Sequence, residues 1–291
     1  MDATASTDPA PQDADRTAAP TERPVVGGAP RSAADRIRPW AVLVALPATL
    51  AMAVLGGGAF GGQEVSRASS GALSADATPL APAGPAFSIW SLIYLGLAAY
   101  AIWQVLPRHR RDPRQQRMGW LALASLVLNA LWIICAQAGL LPLTVVVILA
   151  LLVVLALIMR VLASSRAASW QEAAVVDGTF GLYLGWVSVA TVANVAAWLA
   201  GSGVRPEAFE LPAIGMIAVV VVVGVVLALW SRGRLAPAAA MAWGLAWIAV
   251  GRAFDEPHSL PVAIAAAVAA LAIAVAALAL RARRWSAPGP A

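Results

Sequence analysis

From residue 40 onward the chain alternates long apolar stretches with short polar or proline-bearing connections, and eight stretches approach the length needed to cross a bilayer. A hydrocarbon core about 30 Å thick takes roughly 20 helical residues at a rise of about 1.5 Å each. The runs cover residues 40–60, 86–106, 119–138, 142–159, 178–200, 212–230, 236–251 and 260–280. Lipid offers no partner to a backbone amide, so such segments fold as helices and not as open strands. The expected fold is an all-α integral membrane protein with eight transmembrane helices. The seventh run is the shortest, and Arg234 and Arg252 at its ends are placed to snorkel and lengthen it. Residues 139–141 leave room only for a tight hairpin between the third and fourth helices.

The flanking segments read differently. Residues 1–39 are rich in Ala, Pro, Thr and Asp, with hardly a large apolar side chain, and cannot offset the entropy of ordering. They are expected to form a disordered cytoplasmic tail, with no cleavable signal peptide. The longest internal connection, residues 61–85, ends in Pro79, Pro82 and Pro85, which stiffen its entry into the second helix. It is a candidate lid. Residues 282–291 form a short second cytoplasmic tail.

Composition narrows the class. The chain is 60% hydrophobic and 12% charged, with a mean hydropathy of +0.77, which excludes a soluble globular protein. A net charge of +5 would suggest nucleic acid in a soluble chain, but here the basic residues, all arginine, sit between apolar blocks and set orientation. Nucleic acid is therefore excluded as a partner; the bilayer is the expected one. With the N-terminal tail inside, 17 arginines fall on the cytoplasmic side, and Arg67, Arg205 and Arg252 make up the 3 on the other. Both termini are then cytoplasmic in a multi-pass plasma-membrane protein. The single cysteine, Cys135, and the separated His109 and His258 build neither a disulfide nor a zinc site. No nucleophile, base and orienting group occur together, and no span interior carries a carboxylate, so an enzyme or ion pump is disfavoured. Asp177 reads as an N-terminal cap on the fifth helix, and Arg252 with Asp255 and Glu256 as a solvated surface cluster.

The tryptophans separate into two groups. Trp40, Trp103, Trp120, Trp170, Trp230 and Trp285 fall at or near span ends, as in an aromatic belt, while Trp243 and Trp247 are assigned to packing. In the second helix Trp90 and Tyr94 are four apart and share a face. In the third, Asn129 and Trp132 do the same. The fifth aligns Tyr183, Trp186, Ala190 and Asn194 at helical period. Counting the rise from the span ends puts Trp90, Tyr94, Asn129, Trp132 and Asn194 in the outer half, and Trp186 at a depth of about 21 Å.

The strings Trp90-Ser91-Leu92-Ile93-Tyr94, Leu128-Asn129-Ala130-Leu131-Trp132 and Tyr183-Leu184-Gly185-Trp186 through Ala190 to Asn194 resemble the signature helices of the tryptophan-rich sensory protein family. This is the TspO/MBR or translocator protein group. The resemblance covers roughly residues 40–200. It implies a five-helix bundle whose aromatic pocket binds porphyrins, sterols or related apolar ligands beneath the loop joining helices one and two; the expected partner is an apolar small molecule such as porphyrin or heme. Carried over, ligand-binding roles fall on Trp90, Tyr94, Asn129, Trp132, Trp186 and Asn194. No cofactor is required; a tetrapyrrole would be a ligand. A homodimer is compatible with the resemblance.

The departures are specific. Where the family has phenylalanine, glycine and proline, this chain has Phe87-Ser88-Ile89; Ala136 and Gln137 replace an aromatic pair, and Leu182 a proline. The C-terminal segment has no tyrosine for a sterol-recognition pattern. Residues 201–281 add three helices with no counterpart in five-helix members, which makes the chain an extended relative. Two readings stand: a membrane receptor or carrier for a planar apolar ligand, and a transporter for another small solute. The asparagines fit either ligand contact or simple bridging between helices.

Overall fold

The computed structural model describes residues 33–56, 67–231 and 233–285, the side chains of Arg284 and Trp285 excepted. The expected tail over 1–32, the first residues of the connecting segment, Arg232 and the end of the chain from 286 lie outside the described residues. Eight helices are long and apolar enough to cross a membrane. They are α1 (Ala33–Gly56), α2 (Ile89–Val105), α3 (Pro113–Gln137), α4 (Leu141–Ser164), α5 (Trp170–Gly201), α6 (Glu210–Trp230), α7 (Leu235–Phe254) and α8 (Leu260–Trp285). The predicted spans are all present. Several ends move: α1 already begins at Ala33 within the expected tail, α3 begins at Pro113, α4 runs on to Ser164 and α8 continues to Trp285.

Local chemistry explains several boundaries. Asp112 caps α3 by accepting from the Arg114 amide at 2.8 Å, with Pro113 in the first turn, where its missing N–H costs nothing. Gly139 takes φ +73° in the α3–α4 hairpin, a conformation that glycine reaches without strain. Helix α5 starts at Trp170 rather than near residue 178, because the Ser169 hydroxyl accepts from the Glu172 amide at 3.2 Å. Asp177 is consequently not a cap. It sits in a π-helical turn, Ala173–Gly178, inside α5, and its buried carboxylate receives both Arg114 from α3 and Arg234 from the start of α7. Arg114 also donates to Glu172 at 2.8 Å, and Arg234 reaches the carbonyls of Leu162 and Ser165. Arg234 therefore does not snorkel. It completes a balanced ion network that joins α3, α4, α5 and α7 at the end of the bundle opposite the connecting segment.

Helix α5 is the axis of the packing. It touches α2, α4 and α7, while α1 packs on α2 and α3, and α8 on α6 and α7. Two buried clusters result. One gathers α1 to α5 around residues such as Leu97, Leu126, Leu155 and Trp186; the other gathers α6 to α8 around Val220, Met241, Leu245 and Ile273. Helix α7 contributes to both, through Ala240 and Leu245 respectively.

Between lipid-facing helices the hydrophobic effect offers little discrimination, so close backbone approach has to supply the attraction. Gly181 and Gly185 provide it on α5. A Cβ on Gly181 would press on Ala236 and Pro237, and one on Gly185 would meet the Pro237 carbonyl itself. Across the same interface Gly244 of α7 lies under Val189, where an added Cβ would come within 3.0 Å. Backbone cannot yield as a flexible side chain does. Gly185→Val should therefore lower stability by at least about 1 to 3 kcal/mol, read as a fall in the thermal midpoint of the protein in detergent, whereas Gly215→Ala, at a position with nothing nearby, should leave it unchanged.

Candidate functional site

The connecting segment does not run over the surface as an open loop. After a short 3-10 turn at Ser69–Gly71 it folds back into the bundle, so that Leu80, Ala81, Ala83 and Ala86 are all buried before a second 3-10 turn, Gly84–Ser88, leads into α2. Beneath it lies an apolar cavity of about 90 Å³. Its floor and walls carry Phe87, Trp90, Trp132 and Trp186, with Asn129 and Asn194, and its roof is formed by residues 72–74, Thr78, Ala81 and Pro82.

Five of the six residues expected in a site line this cavity. Tyr94 does not. It stacks on the far side of Trp90, with ring centroids 5.2 Å apart, and its hydroxyl accepts from Asn129 Nδ2 at 3.2 Å. Its part is to hold Trp90 and Asn129 in place. Trp90 meets Trp186 edge to face at 6.3 Å and Tyr183 at 5.7 Å, an arrangement favoured by the ring quadrupoles. Trp186 is thus not in a separate, deeper layer. Counting the rise along each helix places backbones only, and the Trp90 and Trp186 side chains lean together across the α2–α5 interface.

The asparagines bridge helices. Asn194 of α5 accepts from the Trp132 indole of α3 at 2.8 Å and donates to the Thr144 hydroxyl of α4 at 2.8 Å. Asn129 ties α3 to α2 through Tyr94. These bonds fix the cavity walls and leave the polar atoms largely paired. Two lining groups are exceptions among the described residues: the Trp186 indole N–H in the wall and the Thr78 hydroxyl in the roof are buried without a hydrogen-bond partner. A buried donor without a partner costs free energy, which an acceptor atom placed beside it would recover.

Sequence reasoning missed Phe87, which lines the cavity and meets Trp186 edge to face at 5.7 Å. Its position three residues before Trp90 puts it one turn away on the same side, a signal that was present in the sequence. The part of α7 in holding the site was also missed. Trp243, assigned to packing, donates its indole N–H to the Ala86 carbonyl at 2.9 Å, and the Trp247 carbonyl accepts from the Ala83 amide at 3.1 Å.

Arg252 is the larger correction. Far from being solvated, it is fully buried, and its guanidinium donates to four carbonyls: Ala75 at 3.1 Å and Thr78 at 3.3 Å on the connecting segment, Glu256 at 3.0 Å and Pro257 at 3.1 Å beyond α7. Asp76, Asp255 and Glu256 add favourable charge around it. The Asp76 carboxyl is itself held below the usual carboxylate range, chiefly by the Ser74 hydroxyl. A planar five-donor fork suits this clustering of carbonyls; lysine has neither the geometry nor the number of donors.

Arg252→Gln should release the connecting segment, because the carbonyls of Ala75 and Thr78 lose their buried donor. Amide exchange over residues 75–83 should quicken at least about tenfold, the equivalent of about 1.4 kcal/mol. Exchange in the middle of α4 should not change. Equal protection of the segment in the variant and the parent would show that Arg252 is not what holds it.

Comparison with protein families finds one match, described as TSPO-like protein, over residues 39–279. The chain belongs to this family. The matched region runs beyond the five helices that carry the signature strings and takes in α6, α7 and most of α8. No curated protein and no solved structure matches the chain.

Proposed function

With membership of the TSPO-like family as the premise, we propose that this multi-pass membrane protein is a receptor or carrier that binds a planar apolar ligand in the aromatic cavity. The observation that carries the reading is the partnerless indole N–H of Trp186, set among the faces and edges of Phe87, Trp90 and Trp132. Flat apolar rings can stack there while one acceptor atom on the ligand takes the Trp186 proton. Nothing in this binding needs a resident cofactor or a catalytic group.

Size constrains the ligand. Pockets for drug-sized molecules run to about 300–1,000 Å³, while this cavity is about 90 Å³ with the segment closed. A tetrapyrrole therefore enters only if the segment lifts; a single small ring system fits beneath it with less movement. The clamp made by Arg252, Trp243 and Trp247 then sets the cost of entry.

The test is a fluorescence titration of the purified full-length protein with protoporphyrin. Trp90→Ala, Trp132→Ala and Trp186→Ala should each weaken binding by about 1 to 3 kcal/mol, by analogy with aromatic stacking on flat nucleobases. Trp186→Phe, which keeps a ring and loses the N–H, should weaken it less. Trp170→Ala, at an exposed position outside the cavity, should have no effect. Thermal midpoints must be compared alongside, since truncating a packed tryptophan can itself cost about 3 to 5 kcal/mol of stability. If folded cavity variants bind as tightly as the parent, or the parent binds no porphyrin, the tetrapyrrole reading fails and the solute-transporter reading replaces it.

Orientation is part of the same proposal, since it decides which compartment the cavity faces. The arginine distribution supports cytoplasmic termini and an outward-facing connecting segment. Reporter fusions after residues 112 and 168 should then report the cytoplasm, and those near 70 and 205 the outside. An outside signal at 112 would invert the assignment.

A further inference from the structure

The connecting segment has two sides, and only one of them faces the aromatic cavity. On the other, a second cavity of about 450 Å³ lies between residues 77–80, the end of α5, the start of α6 and Pro257. It is five times the volume of the aromatic cavity and falls inside the range of about 300–1,000 Å³ typical of ligand pockets. We propose that it is a second binding site, for an amphiphile that combines an acyl chain with an acidic head group.

Three observations lead there. The first is the wall. Pro79, Pro206, Pro212 and Pro257 all line the cavity, and four prolines with fixed φ make a boundary that loses little entropy when a ligand arrives. The rest of the lining is almost entirely aliphatic. The second is charge. Arg205 is the one ionised side chain among the lining residues, and no acidic residue accompanies it there. Its Nε is engaged with the Ala200 carbonyl at 3.2 Å, which anchors the guanidinium at the rim, and its terminal nitrogens have no protein partner among the described residues. A carboxylate or phosphate is the group that such a fork recognises. The third is Thr78, which is 3% exposed, lines both cavities, and has a hydroxyl without a partner among the described residues.

An apolar body in the prolines' groove with an acid at Arg205 satisfies the first two, and Thr78 puts the occupant against a residue that both cavities share; an uncharged planar ring would leave Arg205 unused. The occupant sits against the segment that roofs the aromatic cavity, and Thr78 belongs to both. The inference does not depend on the aromatic cavity binding anything.

The test uses the full-length protein in nanodiscs of dioleoylphosphatidylcholine, titrated with the fluorescent polyene cis-parinaric acid and with its methyl ester. The parent should bind the acid at least about tenfold more tightly than the ester, since the charge-assisted contact is absent from the ester. Arg205→Gln, an exposed substitution that should not disturb folding, should abolish that preference while leaving ester binding alone. Ala196→Phe, which fills the groove from α5, should weaken both probes at least about tenfold. Competition then identifies the source: displacement of the probe by dioleoyl phosphatidate points to an anionic membrane lipid, and displacement by oleate alone to a free fatty acid. Absence of saturable binding by the parent, equal affinity for acid and ester, or an acid preference that survives Arg205→Gln would each overturn the proposal. If Ala196→Phe fails to fold, the Arg205→Gln comparison still decides.

Discussion

The buried guanidinium of Arg252 is the constraint around which the functional end of the molecule is arranged. A charge removed from water is costly unless it is bonded, and here both terminal nitrogens donate to backbone carbonyls on two stretches of chain far apart in sequence, while Nε has no partner among the described residues. Those carbonyls fix the path of residues 75–78, which in turn buries Leu80, Ala81 and Ala83 and roofs the aromatic cavity. Trp247 and Trp243 extend the same attachment roughly one and a half and two and a half turns back toward the start of α7. The roof of the cavity is thus held by a helix outside the four, α2 to α5, that furnish its walls.

That arrangement needs α7 itself to be fixed, and two unlike devices do it. At the first turn of α7, Gly181 admits the side chains of Ala236 and Pro237 and Gly185 admits the Pro237 backbone, so closely that a Cβ at either glycine would collide. At the end away from the connecting segment, Arg234 at the head of α7 joins Arg114, Glu172 and Asp177 in a paired network. Desolvation makes such a network a weak source of net stability, but an expensive one to leave half-made, so it favours a single register of α7 on α5. The π-turn at Ala173–Gly178 belongs to the same design. It offsets the first turn of α5 by one residue and carries Asp177 to a point between the two arginines.

What the sequence revealed and what it hid follow from the range of the interactions concerned. Span number, the α3–α4 hairpin and the pairing of aromatic with polar residues on α2, α3 and α5 depend on periodicity and length, which are local. The family match agrees with the signature strings and extends past them to residue 279. The roles of Arg252, Asp177 and Arg234 were misread because each is decided by partners 57 or more residues away. A charged residue at a span end looks the same in sequence whether it faces solvent or is buried against carbonyls. Tyr94 and Trp186 show the same limit in milder form. Helical spacing placed both on the correct face, but only the inward fold of the connecting segment determines that Trp186 borders the cavity and Tyr94 stands behind it.

The extra helices therefore cannot be treated as an appendage to a five-helix receptor. In a bundle of α1 to α5 alone, residues 75–83 would have no buried donor for their carbonyls and no α7 backbone for the Ala83 amide, and the segment would be free to exchange those bonds for water. Its closed position is instead maintained by contacts that are independent of any ligand in the aromatic cavity. For the ligand proposed above, affinity would contain the energy of undoing them, since apparent affinity falls in proportion to the population of the binding-competent state. Under the proposed function, changes in α7 away from the cavity would by this route tune binding as changes in the lining tryptophans would.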